Sequence, residues 1–161
     1  MCLILFAWRA HARYELVLAA NRDEFHDRPA APAAYWPEAP DVLAGRDLEA
    51  GGTWLGITRS RRFAALTNHR NPPSTPTTPR SRGLLVSDYL SGDAPAIEYL
   101  ESVAGNAGDY AGFNLLLSDP DGIYYFSNIE CRIRELAPGI YSLSNGLLDA
   151  NWPKQRRASE A

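Results

Sequence analysis

Residues 2–24 of the chain, CLILFAWRAHARYELVLAANRDE, contain two runs of strand-forming residues on either side of a polar connection. The two runs, residues 2–8 and 14–20, predict an antiparallel hairpin. If the loop centres near His11, Cys2 lies opposite the stretch from Ala20 to Arg22. The polar segment 21–24, Asn-Arg-Asp-Glu, is therefore expected beside the Cys2 thiol.

A second hairpin of the same form is expected further along the chain. Residues 53–58 and 62–68 form its two strands, which brings Gly51 and Gly52 opposite Asn68. The run 69–83 that follows contains four prolines and no apolar periodicity, so it is predicted as a long exposed loop. Loops of this length often bind ligands or cover sites.

The second half of the sequence changes from helical to strand periodicity. Apolar spacing predicts helices at 84–90 and 94–103, with residues 91–93 ending the first and capping the second. An antiparallel meander is expected after them, with strands at 113–117, 123–127, 132–136 and 140–144.

The order of strands, helices and strands predicts a layered α+β fold built on antiparallel sheets. The first strand is apolar on both faces, as in a sheet that is covered on both sides. At 161 residues the chain fits one domain, 1–161, with one core. Residues 149–161 begin a helix-forming run that stops early, so we expect a C-terminal portion to be missing.

Composition argues against several classes of partner. A net charge of −3 gives no basic field for nucleic acid or for an anionic membrane surface. The apolar start is too short to span a bilayer, and we expect a cytoplasmic protein without integral membrane association. Cys2 and Cys131 are too few for a disulfide framework, and their spacing from His11, His26 and His69 does not suit a metal site.

Cys2 is the strongest candidate for chemistry. A small residue at position 2 permits removal of Met1, which leaves a thiol and a free α-amine on one residue. The α-amine has an intrinsic pKa of about 7.7 to 8.0, so at neutral pH it can take the thiol proton. Taken alone, Cys2 is better explained as a small buried apolar residue, and it is the context that favours the catalytic role.

The segment 21–24 gives Cys2 a polar context. The Arg22 guanidinium would favour the thiolate, and a carboxylate such as Asp23 could orient the α-ammonium. Side chains alternate along a strand, so a regular strand cannot direct both Arg22 and Asp23 at Cys2, and a bulge or turn is required. The alternative is a solvated strand end that runs into a turn.

Two asparagines end strands at comparable positions. Asn68 follows the second hairpin and Asn145 follows the last strand of the meander. Their amides could form an oxyanion hole, in which one donor contributes about 3 to 4 kcal/mol to the stability of a tetrahedral intermediate. Each is also a residue type that commonly caps a strand end through an Asx hydrogen bond. We expect Cys2, residues 21–24, Asn68 and Asn145 to converge in one cleft beside the proline-rich loop.

The sequence resembles the NRDE family, also called the transport and Golgi organisation family, through motifs that run along nearly the whole chain. These motifs are MCLILFAW (1–8), ANRDEF (20–25), RPAAPAAYW (28–36), AGRD (44–47), GGTWLGI (51–57), ALTNHR (65–70), SRG (81–83), GFNLLL (112–117) and LSNGLLDANWPK (143–154). The family is similar to the N-terminal-nucleophile (Ntn) hydrolases, above all the choloylglycine hydrolases and penicillin acylases. The resemblance implies an αββα arrangement of layers.

It also implies roles for individual residues. Cys2 would be the nucleophile, Arg22 and Asp23 its neighbours, and Asn68 and Asn145 contributors to the oxyanion region. The similar enzymes separate their Arg and Asp by two residues, whereas Arg22 and Asp23 are adjacent. Asn21 and Glu24 keep the wider spacing, so Asn21 is also a candidate.

Three functions follow from these expectations. The first is an amidase or acyl-transfer enzyme that acts on a small-molecule acyl substrate through Cys2, without a cofactor. The second is a non-enzymatic carrier of haem or acyl lipid on the same fold. The third is a structural or interaction domain in which the polar residues only secure the sheet.

Overall fold

The computed structural model describes residues 2–70, 72–73 and 75–150. Most of the predicted segment 149–161 lies outside the described residues. The strands are β1 (Leu3–Trp8), β2 (Leu16–Asn21), β3 (Ala30–Trp36), β4 (Ala39–Asp47), β5 (Leu55–Thr58), β6 (Phe63–Asn68), β7 (Phe113–Ser118), β8 (Ile123–Ser127), β9 (Arg132–Glu135) and β10 (Gly139–Leu143). Two helices, α1 (Gly83–Ser91) and α2 (Ala96–Gly105), lie between β6 and β7.

The first hairpin has the expected register. β1 and β2 pair antiparallel with Leu3 opposite Asn21, so the next pair along the ladder would be Cys2 and Arg22. On its other side β1 pairs with β10, where Ile4 lies opposite Leu143. The order β10-β1-β2 forms a small sheet of three antiparallel strands.

The other seven strands form a larger sheet in the order β3-β4-β5-β6-β7-β8-β9. Each strand is antiparallel to its sequence neighbour, and β6 meets β7 across the helical insertion, with Asn68 opposite Phe113. Residues 113–135 form the expected meander. The expectation that β10 continues this meander is wrong, because β10 crosses to the small sheet and pairs with β1.

Side-chain alternation divides the interior into two cores that share the central strands. On β6, Ala64 and Leu66 face the helices, whereas Phe63 and Ala65 face the small sheet. On β7, Leu115 and Leu117 likewise belong to the helix-side core and Leu116 to the core between the sheets. Full burial of one such side chain contributes about 1.5–3 kcal/mol.

The layers are therefore one of helices, one of seven strands and one of three strands, which confirms the layered α+β class. In the described ranges a single helical layer is present, so three layers of the expected αββα order are seen. No helix in these ranges has the length and apolar character needed to cross a bilayer.

The predicted break between the helices is present, but its capping is different. The N–H of Gly92 donates to Asp88 O at 3.0 Å and closes α1, as expected. Asp93 does not cap α2, whose N-cap residue is Pro95. The carboxylate of Asp119, in the turn between β7 and β8, instead accepts the N–H of Ala96 at 2.8 Å. A residue distant in sequence supplies this cap.

Strands β3 and β4 were not expected from the sequence. The segment of β3 is rich in alanine and contains Pro32, which cannot donate to a ladder. β3 is the edge of the seven-stranded sheet, and an edge strand tolerates proline. Register shifts after Ala31 and after Tyr35 further weaken its alternation.

Candidate functional site

A cavity of about 490 Å³ opens at the ends of the two sheets. Its walls come from Cys2, from residues 22–24, from β3 and β4, from Asn68, and from residues 79–83 of the proline-rich loop and the start of α1. Segments that are distant in sequence therefore meet around one space. Cys2, Arg22, Asp23 and Asn68, which were candidates from the sequence, all line this cavity.

Cys2 lies on the cavity wall immediately before β1. Its side chain is 9% exposed, and its backbone carbonyl accepts a hydrogen bond from Ser144 Oγ at 2.7 Å. Extending the ladder of β1 with β2 by one pair, and its ladder with β10 by two pairs, sets Cys2 between Arg22 on β2's side and Asn145 on β10's side. The position of the thiol is thus determined by two neighbouring strands.

The polar segment after β2 is not a continuation of the strand. β2 ends at Asn21, and Arg22, Asp23 and Glu24 all line the cavity, which strict alternation would not allow. The Arg22 guanidinium donates to Glu24 at 2.7 Å, and Asn21 Nδ2 donates to Asp23 Oδ1 at 2.9 Å. Asn21 is exposed and is not part of the cavity wall.

The two asparagines meet each other at this end of the sheets. Asn68 lines the cavity, and its backbone carbonyl accepts a hydrogen bond from Asn145 Nδ2 at 2.7 Å. The carbonyl of Asn145 accepts the N–H of Arg70 at 2.7 Å. Asn145 Oδ1 is buried and has no hydrogen-bond partner in the described residues. Asn145 does not itself line the cavity, so it contacts the site through Asn68.

A buried polar network lies beneath the asparagines. Asn114 donates from Nδ2 to Thr67 Oγ1 at 3.1 Å and to Gly146 O at 2.8 Å, and it accepts from the Tyr125 hydroxyl at 2.8 Å. Thr67 in turn donates to Ser144 O at 2.6 Å. Burial raises the pKa of Tyr125 to about 12. The network attaches residues 144–146 to the large sheet and so helps to position Asn145.

The wall formed by β3 and β4 contains charged residues that the sequence had not indicated. Arg28 donates to Asp47 Oδ2 through Nη2 at 2.8 Å and through Nε at 3.0 Å. Burial acts to raise the pKa of Asp47, but the hydrogen bonds from Arg28 and from the N–H groups of Ala50 and Glu49 outweigh it, so this pKa is lowered. The motifs at 28–36 and 44–47 were the available signal.

The Gly-Gly pair before β5 makes a close backbone contact. A Cβ on Gly52 would lie 2.4 Å from the carbonyl carbon of Gly83, and the N–H of Thr53 donates to Gly83 O at 3.2 Å. The sequence had left open a close approach to a ligand or a kink entering the strand. The close approach is to Gly83 at the start of α1, and it fixes Ser81 and Arg82 at the cavity wall.

Arg82 is a partly buried residue of that loop. It donates from Nη1 to Gly112 O at 3.0 Å, and its desolvation by burial lowers its pKa. Glu24 acts in the opposite direction, electrostatically, across the cavity. The SRG motif had drawn attention to this residue without suggesting a role.

The other candidate ligands lie elsewhere. His11, His26 and His69 do not line the cavity, and His69 Nδ1 is a buried atom without a hydrogen-bond partner among the residues that the structure describes. Across the described ranges, no three His, Cys, Asp or Glu residues are grouped as a metal site. Of the two free cysteines, Cys2 is buried and Cys131 is exposed.

Comparison with known proteins gives a consistent result. The sequence profile of the family described as Transport and Golgi organisation 2 matches residues 1–161. The chain is 42% identical over 167 residues to the Transport and Golgi organization protein 2 homolog of Bos taurus, with 96% of this chain and 60% of that protein covered. The corresponding human protein is 40% identical over 167 residues, with the same coverage.

A more distant relative shows the same extent of match. The Transport and Golgi organization protein 2 of Drosophila melanogaster is 31% identical over 179 residues, with 99% of this chain and 63% of that protein covered. The chain thus spans about three fifths of the length of these relatives.

Proposed function

Because the chain belongs to the Transport and Golgi organisation 2 family and contains a cysteine that follows Met1 at the wall of a polar cavity, we propose that it is an Ntn-type amidase or acyl-transfer enzyme. Its substrate is a small molecule with an amide or thioester carbonyl. Cys2 is the nucleophile after Met1 has been removed. A catalytic thiol must stay reduced, which favours the cytoplasm.

The reaction begins at the Cys2 sulfur. The α-amine of Cys2 takes the thiol proton, directly or through a water molecule, as sulfur attacks the substrate carbonyl carbon. A sulfur–carbon bond forms, and the bond to the leaving amine or thiol breaks as the α-ammonium returns the proton to it. Water or another acceptor then cleaves the acyl-cysteine and regenerates the thiol.

Neighbouring groups support this assignment. Arg22 is placed to favour the thiolate, and its own charge is offset by Glu24 at 2.7 Å. Asp23 lines the same cavity and is the candidate to orient the α-ammonium, with Asn21 holding it at 2.9 Å. The hydrogen bond from Asn21 restricts the orientations in which the Asp23 carboxylate can meet the amine.

The oxyanion would be stabilised at Asn68. Its side chain is available on the cavity wall, whereas one N–H of the Asn145 amide is already used on the Asn68 carbonyl. We therefore propose Asn68 as the direct donor. Asn145 fixes the backbone of Asn68 and acts on the oxyanion through that residue.

The observation that carries the proposal is the meeting of Cys2, Arg22, Asp23, Glu24 and Asn68 around one cavity. Turns and strand caps would account for each polar residue separately. They would not require that these residues share a cavity with Cys2, the residue that follows Met1.

The test is detection of an acyl-enzyme. The protein is first checked by intact mass for loss of Met1, and is then incubated with a panel of small acyl amides and acyl thioesters. We expect an acyl adduct on the peptide that begins with Cys2, together with release of the amine or thiol. The Cys131→Ser variant, which retains Cys2, should behave like the wild type.

Cys2→Ala is the matched variant, because alanine also permits Met1 removal and replaces only the thiol. It should give no adduct and no turnover above the uncatalysed rate. Full retention of Met1, or unchanged turnover in Cys2→Ala, would show that the proposed mechanism is wrong.

The second candidate is a carrier, and it is favoured by the names of the relatives, which refer to transport and Golgi organisation. Haem or an acyl lipid would then occupy the same cavity, and Cys2 is the cavity residue suited to bind haem iron. A haem titration separates the two functions. A Cys2-dependent haem spectrum without turnover of any acyl substrate supports the carrier.

A further inference from the structure

Arg82 combines three properties that no other arginine of the cavity shares. It lines the cavity, it is partly withdrawn from water, and it makes no ion pair within the part of the chain that the structure describes. A hydrogen bond from Nη1 to Gly112 O holds the guanidinium in place. A guanidinium has five N–H donors, and the bond to Gly112 O uses one of them.

The remaining arginines of the cavity wall all have partners. Arg22 pairs with Glu24, Arg28 with Asp47, and Arg46 with Glu38, while Arg80 lies over the ring of Tyr110 at 5.3 Å. Each of these arginines therefore already has a partner within the protein. Arg82 is the exception, because the carboxylate that acts on it across the cavity, Glu24, is already bonded to Arg22.

We propose that Arg82 is a substrate-binding residue that holds an anionic group, a carboxylate or a phosphate, in the cavity lined by Cys2. This inference rests on the proposed function, in which Cys2 attacks the carbonyl of an acyl substrate. It adds that the acyl substrate has a negative charge away from that carbonyl.

The geometry of the loop supports a binding role. Gly52 and Gly83 pack without side chains between them, and this contact holds the backbone next to Arg82 against residues 52 and 53, which precede β5. A rigid guanidinium that presents parallel N–H groups suits the two oxygens of a carboxylate or phosphate. The attraction between a bound anion and the guanidinium would also offset the desolvation of Arg82.

The test compares two small alkylating agents of nearly equal size, iodoacetate and iodoacetamide, in a Cys131→Ser background. Both react with the Cys2 thiolate, but only iodoacetate has a carboxylate for Arg82. We expect Arg82→Gln to lower the ratio of the iodoacetate rate to the iodoacetamide rate at Cys2 by about fivefold, as for one charge interaction in a partly desolvated site. The rate is followed by mass spectrometry of the Cys2 peptide.

Three further variants define the effect. Arg13→Gln makes the same change of net charge at an exposed arginine outside the cavity wall and should leave the ratio unchanged. Arg82→Lys keeps the charge and should retain most of the ratio. Arg22→Ala should slow both reagents together, because that residue is proposed to act on the thiol and not on the reagent.

Competition in the wild-type background gives a measurement that needs no variant at Arg82. Inorganic phosphate and acetate should each slow iodoacetate more than iodoacetamide. Stronger competition by phosphate assigns the site to phosphate groups, and stronger competition by acetate assigns it to carboxylates. An equal effect of every anion on both reagents, or an unchanged ratio in Arg82→Gln, overturns the inference.

These outcomes are distinct from those of the acyl-enzyme experiment. Alkylation requires only a reachable thiol, so the ratio can reveal the anion site in a protein that turns over no acyl substrate. Conversely, turnover of neutral and anionic substrates at equal kcat/KM would leave the nucleophile assignment intact and remove the role of Arg82.

Discussion

Two groups of polar residues lie at the same end of the sheets, and they differ in how completely their hydrogen-bonding groups are satisfied. In the buried network, Asn114 makes three hydrogen bonds and Tyr125 and Thr67 complete the set. Around the cavity, Arg82 has one protein acceptor and Asn145 Oδ1 has none in the described residues.

The difference separates structural polar groups from binding groups. A buried polar group without a partner costs about 1–3 kcal/mol, so folding alone gives no reason to keep one. A network with every group bonded is expected to stabilise the fold, whereas an incompletely bonded group at a cavity is expected to contribute little until a ligand binds.

The largest loss of stability is expected from Asn114→Ala. This change leaves Thr67 Oγ1, Gly146 O and the Tyr125 hydroxyl each without one partner, and it opens a small void in a fully buried site. We expect the free energy of unfolding to fall by about 3 kcal/mol, measured by urea denaturation. Asn106→Ala, at an exposed helix end, should cost under about 0.5 kcal/mol. Equal losses in the two variants would contradict the structural role of the network.

Tyr125→Phe is expected to have a smaller effect, because it removes one hydroxyl and leaves the ring packed. Asn114 Oδ1 and the N–H of Leu148 each lose a partner. We expect unfolding to become easier by about 1.5 kcal/mol in the same denaturation assay. Tyr14→Phe, at a side chain that is 56% exposed, is the control and should not differ from the wild type. A neutral Tyr125→Phe would mean that this hydroxyl is not part of the stabilising set.

Asp47 sharpens the comparison, because it lines the cavity but is fully bonded. Its lowered pKa means that the charged form contributes stability above the ordinary carboxyl pKa of about 3.9, and that this contribution is lost as the pH falls through the lower folded pKa. We expect thermal melts to show a contribution of about 1 kcal/mol or less, present at pH 6 and absent near pH 2.

Asp47→Asn isolates the charge, since an amide oxygen can still accept the N–H groups of Glu49 and Ala50. In that variant the difference in stability between pH 6 and pH 2 should be smaller than in the wild type. An identical pH dependence in both proteins would show that the pair of Arg28 and Asp47 contributes nothing to it.

The smallest effect on stability is expected at Arg82. Replacing it with glutamine removes a partly desolvated charge that makes no ion pair among the described residues, so the free energy of unfolding should change by less than about 0.5 kcal/mol. Arg62→Gln is the contrasting variant. Arg62 donates to the carbonyls of Tyr89, Gly92 and Ala94, and its loss should cost about 2 kcal/mol. A large loss at Arg82 would place it with the structural groups.

Much of this arrangement could be predicted because apolar runs and side-chain alternation in the sequence determine which strands pair and in which register. The apolar runs at residues 2–8 and 14–20 fix which residues face each other. They placed Cys2 opposite the stretch from Ala20 to Arg22, which agrees with the pairing of Leu3 with Asn21. The need for a break after Asn21 followed from alternation alone, and β2 does end there. The second hairpin and both helices were located by the same periodicities.

The rest depended on contacts that leave no local pattern. β3 is an edge strand with proline and alanine, so neither propensity nor alternation indicates it. β10 resembles a fourth strand of the meander in sequence, and only its packing on β1 takes it to the other sheet. Arg28, Asp47 and Arg82 reach the cavity through these elements and through the contact of Gly52 with Gly83, which explains why their sequence positions did not suggest a shared site.

The position of β7 has a consequence for how the molecule opens. β7 is hydrogen-bonded on both edges, and its two faces belong to different cores. Neither core can separate from the sheet without exposing a face of this strand. The backbone amides of Leu115, Leu116 and Leu117 should therefore exchange with solvent deuterium only through global unfolding, and the two cores should behave as one cooperative unit.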